Sequence, residues 1–561
     1  MCGILGGNAF VNLEEMEKGL TSMMHRGTDG NTIFHFPEND FYLSHNRLSI
    51  QDLSEIANQP MRSDDDRYFL AFNGELWKST FTRFNKPLRQ KYNFKTERSD
   101  TELLLYYLID NKDNLKESMQ ELEGMFCFAF YDKKKDEVIL GRDFIGRLPF
   151  YYLLTKEGKL VFSSEIKGIE QSLKTEYYNI DKGSRFKSAN YKDKEVIKTV
   201  PPGTYIKLEI SKHLLDKDGN HSIYTENEVR WFDFKPNPFD NKEKTYYPRT
   251  DAEFKIYDEE DKGEEFYTKG FRKRLERAVD EELISDVPIC TILSGGIDST
   301  IITYLLSQIY PNVEAFVVNV NQKRQSKLKD DLYFARVAAK EFGIKLHEVN
   351  VDQDDIESYL RESIWAAETH KWTQVSPAVA QLFLSWEIRD KGFKVVFGGE
   401  GADEIFASYG DVYRFCWRKP IWYHQKRVNL LDKLHKNNLI RTNKVMMYGG
   451  KVELRTPFMN KEVIDFGLRI PTRYRDEKDG KGNVMKYILR KAFEGDISDD
   501  LLWRPKKTFQ IGCHTAYLKN EKEKIEDYFE NLFVNHIVPD KFIKRHIGHN
   551  RGRIEKIIIE K

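Results

Sequence analysis

The sequence predicts a sheet-rich α+β domain followed by a doubly wound α/β domain with a parallel sheet. Three observations carry this. Up to about residue 210, short aromatic and β-branched runs ("YFLAFNGEL", "MFCFAFYD", "EVILGRD", "FYYLL", "KLVFSSE") stand between turn residues, as antiparallel strands do. From about residue 266, apolar runs ("VPICTILSGG", "EAFVVNV", "KLHEVNV", "KVVFGGEG") alternate with helical segments, as parallel strands with crossover helices do. Between them, residues 211–265 turn polar and charged ("DAEFKIYDEEDKGEE") and read as a linker or inserted loop. The expected division is therefore 2–210, 211–265 and 266–561.

The elements follow in order. One helix is expected within the first domain, at "SDTELLLYYLIDN", where apolar residues recur at helical spacing, and "PPGTYIKLEI" reads as that domain's last strand. The amphipathic stretch "FYTKGFRKRLERAVDEELISD" leads into the second domain. A chain of 561 residues is too long for one core, which fits the division. Lys and Arg number 89, as do Asp and Glu, so no charge imbalance points to nucleic acid. No apolar run approaches the ~18 residues of a membrane span, and no signal peptide is apparent. The five cysteines (Cys2, Cys127, Cys290, Cys416, Cys513) are scattered with no C-x-x-C pair, against both a disulfide framework and a structural zinc. A reducing, cytoplasmic setting is expected.

Candidate chemistry begins at "MCGILGG". Loss of Met1 would leave Cys2 with a free α-amine, whose pKa of roughly 7.7–8.0 suits a base for its own thiol. The plain alternative is a small buried hydrophobe opening an edge strand. Position alone does not separate the two.

Two loops in the second domain carry a different chemistry. "TILSGGIDSTIITYLL" runs strand, glycine turn, helix, so the backbone N–H groups at Ser294, Gly295 and Gly296 face an anion at a helix start. Ser299 can donate to a phosphate oxygen, and Asp298 suits a Mg²⁺ bound to that phosphate. Neither G-K-[ST] nor G-x-G-x-x-G is present. The second loop, "KVVFGGEGADEIFASYG", places Gly398, Gly399 and Gly401 among Glu400, Asp403 and Glu404. Acidic residues favoured by a helix dipole explain one or two of these carboxylates; three among three glycines point to a metal and acid–base site. Asp298 and Asp403 are expected to hold Mg²⁺ from opposite sides. "WRPKKTF" adds Lys506 and Lys507, in a residue class that is usually solvated.

In this order the motifs resemble the glutamine-hydrolysing asparagine synthetases over nearly the whole chain. Further matching stretches are "MMHRGTDG", "HNRLSIQDL", "RSDTELLL", "GRDFIGRLPFYY", "FSSEIK", "VELRTPFMN" and "KYILRKAFEG". The resemblance implies a class II glutamine amidotransferase domain of the N-terminal-nucleophile hydrolase fold, followed by an ATP pyrophosphatase domain. It implies that Cys2 hydrolyses glutamine through a thioester, with Asn73 and the Gly74 N–H as oxyanion hole. Arg47, with Leu48, Ser49 and Ile50, would take the substrate α-carboxylate; Asp100 and Glu75 would take its α-ammonium. Ser294 to Ser299 would bind pyrophosphate, Leu293 and Val318 would line the adenosine pocket, and Gly398 and Gly399 would touch the nucleotide. Glu400 matches the family's acid at the adenylation site and Lys506 a lysine that offsets phosphate charge.

The resemblance thus implies glutamine, ATP and aspartate as substrates, Mg²⁺ as cofactor, an internal ammonia tunnel, and a homodimer as one assembly. Its alternative is an amidotransferase of the same chemistry acting on another carboxylate, of a sugar, nucleotide or peptide. Departures concentrate near the acceptor: Ser376 where an arginine occurs in some members, Asn460 where aspartate is usual, and Ala407 and Ser408 for a Gly-Gly pair. Thr28 replaces a proline. An α-carboxylate in the acceptor needs a buried cation, and within the atypical segment Glu368–Gln381 the candidates are Lys371 and His370.

Overall fold

Side-chain alternation decides the layers of the first half. The computed structural model describes residues 1–155, 158–173, 197–210, 228–232, 262–321, 331–409, 420–471, 474, 477–479, 482–504, 515–533, 537–544 and 556–560. The strands of the first half are β1 (Gly3–Gly7), β2 (Gly30–Phe36), β3 (Phe41–Arg47), β4 (Met61–Arg62), β5 (Tyr68–Leu76), β6 (Gly124–Asp132), β7 (Glu137–Arg142), β8 (Tyr151–Leu154), β9 (Leu160–Ser163), β10 (Lys198–Thr199), β11 (Thr204–Glu209) and β12 (Glu228–Arg230). Its helices include α1 (Leu13–Ser22), α2 (Lys78–Lys91), α3 (Asp100–Asp110) and α4 (Ile166–Ser172). On β1, β2, β3 and β9, Ile4, Phe34, Leu43 and Phe162 face the main core. Their neighbours Leu5, Ile33, Tyr42 and Val161 face a second cluster with Met16 and Leu20 of α1 and Ile166 and Ile169 of α4. A period of two thus buries both faces of this sheet, with helices outside and a second sheet inside. That second sheet has the order β12–β11–β7–β6–β5–β4. The first has the order β10–β8–β9–β1–β3–β2, with one further strand on β2.

The second half holds β13 (Ile289–Ile292), β14 (Glu314–Asn321), β15 (Lys345–Asp352), β16 (Val395–Phe397) and β17 (Glu453–Arg455), all in parallel in the order β15–β14–β13–β16–β17. Helix α5 (Glu264–Glu281) precedes it, and α6 (Ile297–Ile309), α7 (Asp331–Glu341), α8 (Leu360–Ala367), α9 (Trp372–Asp390), α10 (Asn438–Gly450) and α11 (Lys461–Arg469) accompany it. A two-stranded ribbon, β18 (Glu477–Asp479) and β19 (Gly482–Val484), follows. The chain steps outward through β14 and β15, then returns to lay β16 on the other side of β13. Strand order therefore reverses between β13 and β16, where ligands of doubly wound sheets bind. The two glycine loops leave these strands side by side, Thr291 being level with Phe397.

The domain order is as expected, but two segments cross the expected boundaries. Residues 228–230, within the segment read as a linker, form β12 on the edge of β11, and Trp231 beside them is buried. Hence β11, the "PPGTYIKLEI" strand, is not the last of its sheet. The final described strand, β20 (Lys556–Ile559), leaves the second half and pairs in parallel with β2. In both cases an open sheet edge offers unpaired N–H and C=O groups that a short strand satisfies. One continuous apolar cluster joins the halves, from Ile4 and Phe72 to Val279 and Leu454. No helix among the described residues is long and apolar enough to cross a membrane.

Candidate active site

Cys2 sits just before β1, buried among strands from both sheets. Its N–H donates to Asn73 Oδ1 on β5 at 2.7 Å, and its Sγ lies 3.8 Å from the Leu48 carbonyl. Burial pushes the thiol above its ordinary pKa, against the pull of the nearby N-terminal ammonium. The Asn73 amide donates from Nδ2 to Cys127 Sγ at 3.6 Å, so its two ends span both cysteines. Gly74 follows at φ 147°, where a Cβ would meet the Met125 carbonyl oxygen at 2.0 Å; the strand tolerates no side chain there.

The expected glutamine contacts converge around Cys2, with one difference. Arg47 is buried but turned inward, donating to Ser54 O at 2.7 Å, Asn58 Oδ1 at 3.0 Å and the Asp52 carbonyl. Ser49 N–H donates to Asp29 Oδ2 at 2.9 Å, and the Ile50 carbonyl accepts from Asp286 N at 2.9 Å. Glu75 accepts from Gln51, and Asp100 Oδ2 accepts the Leu76 N–H at 3.1 Å. Burial first, then the Glu453 carboxylate, raise Glu75 well above its usual range. Burial, with Glu453 adding to it, pushes Asp100 up to about 7. This acidic pocket is shared by both domains, because Glu453 belongs to β17. Glu453 holds the Met1 ammonium at 3.2 Å and Arg455 Nε at 2.9 Å.

At the switch point, Ser294 Oγ and Ser299 Oγ are 3.0 Å apart, and the Ser299 hydroxyl donates to the Gly296 carbonyl at 3.1 Å. Gly399 packs so tightly on this turn that a Cβ would lie 2.7 Å from Ser299 N. The second loop thereby closes against the first. Leu293 and Val318 are both buried in the main core. Glu400 is half-buried, and burial raises its pKa although Arg441 pulls the other way. Burial and the neighbouring Asp403 push Glu404 up to about 7.

The most informative contact joins the loops. Lys486 Nζ lies 2.6 Å from both carboxylate oxygens of Asp298 and 2.6 Å from Asp403 Oδ1. Burial alone would lower this lysine's pKa; the two carboxylates outweigh it and hold it above the ordinary value. Asp298 and Asp403 thus do converge, but on an ammonium of this chain. Lys506, the lysine expected from sequence, lies outside the described residues. Lys486 stands within "MKYILRK", a stretch that marks the family without singling out its lysine; only its remote partners reveal it. Arg504 was missed likewise: it donates to the Gly295 carbonyl and pairs with Asp331 Oδ1 at 2.7 Å, holding the first loop's shape.

The departures near the acceptor resolve into structural roles. Ser376 is buried and donates to Thr515 O at 2.9 Å. Asn460 caps α11, accepting the Glu462 N–H at 2.9 Å, as aspartate would. Ala407 takes φ 44°, which explains the family's glycine at this position. Thr28 Oγ1 accepts from Lys451 Nζ at 3.1 Å. Lys371 is exposed, and His370 packs edge-on against Phe529. Arg441 on α10, on the same helix as buried Lys444, is a buried cation whose charge reaches Glu400. It donates to Gln374 Oε1 at 3.3 Å and Thr442 Oγ1 at 2.9 Å, while Gln381 Nε2 donates to the same hydroxyl at 3.1 Å.

Fold and site together define a two-domain protein, with a cysteine-bearing sheet sandwich at one end and paired anion loops of a doubly wound domain at the other. Residues 1–217 match a family model described as a glutamine amidotransferase domain, and residues 270–436 and 420–553 match one described as asparagine synthase. The chain belongs to the asparagine synthase family. It is 28% identical over 545 residues to asparagine synthetase B (glutamine-hydrolyzing) of Escherichia coli K12, covering 93% of this chain and 84% of that protein. A probable asparagine synthetase (glutamine-hydrolyzing) of Dictyostelium discoideum is 29% identical over 577 residues, covering 97% and 89%. The asparagine synthetase (glutamine-hydrolyzing) of Mesocricetus auratus is 28% identical over 552 residues, covering 95% and 88%.

Proposed function

We propose that the chain is a glutamine-dependent asparagine synthetase. The carrying observation is the union, on one continuous core, of Cys2 against a buried acidic pocket with two switch-point loops bridged by Lys486. After loss of Met1, the Cys2 amine would take the thiol proton and the thiolate would attack the glutamine carboxamide. The C–N bond breaks, ammonia leaves with that proton, and water hydrolyses the thioester to glutamate. Glu75 and Asp100 suit the substrate α-ammonium. Arg47 would turn from its carbonyl partners to the α-carboxylate, and the Gly74 N–H would donate to the oxyanion with Asn73.

At the second site, a β-carboxylate oxygen of aspartate attacks the α-phosphorus of ATP and pyrophosphate leaves. Ammonia then displaces AMP from the acyl-adenylate. Lys486 and the loop N–H groups would stabilise charge on the departing phosphates, and Glu400 would handle a proton of the incoming nitrogen. Arg441 supports aspartate as acceptor, because it supplies the buried positive charge that an α-carboxylate requires.

Asp298 and Asp403 are the donors that Mg²⁺ would use beside the phosphate loop, but Lys486 Nζ lies 2.6 Å from both side chains, and the described residues hold no group of three or more His, Cys, Asp or Glu able to bind a metal by itself. An ion would fit here only with that ammonium moved off the two aspartates. These two residues would hold an ion that ATP brings, which would neutralise phosphate charge.

The test measures pyrophosphate release with ATP, Mg²⁺ and ammonium, with and without aspartate. An aspartate-dependent increase with formation of asparagine is expected. A flat response, in a preparation with intact glutaminase activity, overturns aspartate as acceptor.

A further inference from the structure

A chain of buried ionic contacts runs from the synthetase domain to the backbone of Cys2. Lys444 on α10 pairs with Glu368 Oε2, and Glu368 Oε1 lies 3.3 Å from Lys167 Nζ. Lys167 pairs with Glu165 Oε2, whose Oε1 takes Arg26 Nη1 at 2.6 Å. Arg26 Nε then donates to the Cys2 carbonyl at 2.8 Å. Glu368 also accepts the N–H groups of Ile166 and Lys167, at 3.1 and 2.8 Å. His25 Nε2 lies 3.0 Å from Glu165 Oε2.

Every side chain in this chain of contacts is buried, none being more than 3% exposed. Its ends belong to different domains: Arg26 lies between α1 and β2 and Lys167 in α4, whereas Glu368 ends α8 and Lys444 lies three residues beyond Arg441 on α10. Burial of this many charges is poor evidence for stability, since well-packed apolar residues often serve as well. What the charges do supply is fixed geometry, and at its far end the network holds the carbonyl of the proposed nucleophile.

We propose that Glu368 and Lys444, residues of the synthetase domain, are positioning residues for Cys2, acting through Lys167, Glu165 and Arg26. The proposal rests on the reading of Cys2 as glutaminase nucleophile. Glutamine hydrolysis then depends on the ionic lock between domains, whereas adenylation and the use of free ammonia do not.

The test compares Lys444→Met, Lys444→Arg and Glu368→Gln with the parent full-length chain. Three rates are read: glutamine hydrolysis, alkylation of Cys2 by iodoacetamide, and ammonia-dependent pyrophosphate release. Lys444→Met and Glu368→Gln should lower the glutaminase kcat about tenfold, with glutamine KM and ammonia-dependent release within about twofold. Cys2 alkylation should change in the same variants, and Lys444→Arg should recover most of the loss. Equal falls in both activities would mean a merely structural role and overturn the proposal, as would no fall in either. Should Glu368→Gln not fold, the Lys444 pair decides alone. A parent without glutaminase activity overturns the reading of Cys2 and this proposal together. An active parent beside an unchanged Lys444→Met overturns this proposal only.

Discussion

Lys486 shows what a single residue does at this site. It takes φ 61° and ψ 39°, a left-handed conformation costing a non-glycine residue roughly 1–2 kcal/mol, and it does so while bridging Asp298 and Asp403. Lys486→Met would leave the two carboxylates facing each other without a counter-charge where phosphate must enter. Pyrophosphate release is expected to fall by about a hundredfold or more with either glutamine or ammonium as nitrogen source. Glutamine hydrolysis measured in parallel should persist, because Cys2 lies in the other domain. Cys2 and the loop residues stood out as candidates in the sequence because each lies in a short local motif, and Asn73 and Asp100 through the family resemblance those motifs carry. Lys486 did not, because its carboxylate partner Asp298 is 188 residues away in the chain.

At the scale of elements, legibility follows hydrophobic pattern. The strands that bury both faces, such as β5 and β6, announce themselves by continuous aromatic runs, and β13 and β16 by apolar runs ending in glycine. β12 has no such signature, since an edge strand of three residues is stabilised by the sheet it joins, and the three isoleucines of β20 mark a strand without saying that its partner is β2. The same reasoning reassigns Asn460. Its side chain closes the start of α11, so the family's aspartate and this asparagine do the same work. Asn460→Ala should lower stability by about 1 kcal/mol in urea unfolding while aspartate-dependent pyrophosphate release stays unchanged. Asn460→Asp should be close to neutral in both measurements. A large loss of acceptor-dependent activity in either variant would return this residue to the acceptor site.

For the whole molecule, the decisive feature is that two chemistries share one core and one buried acidic pocket. Cys2 and Glu453 belong to different domains, yet both neighbour the Met1 ammonium. Cys2→Ala should abolish glutamine-dependent amidation and leave ammonia-dependent amidation largely intact, as read by asparagine formation with each nitrogen source. Loss of both activities would show that the cysteine also supports the domain boundary. The sequence by itself determined the order of the two domains and the class of each fold, and it singled out Cys2 and the two glycine loops as candidates. These depend on local patterns of hydrophobicity, turn chemistry and spacing. Only the tertiary structure decided which cation joins Asp298 to Asp403, which buried arginine stands beside Glu400, and which charges tie the domains together. Those contacts join residues far apart in the chain, 76 positions for Lys444 and Glu368 and 188 for Lys486 and Asp298, and burial rather than local pattern selects them.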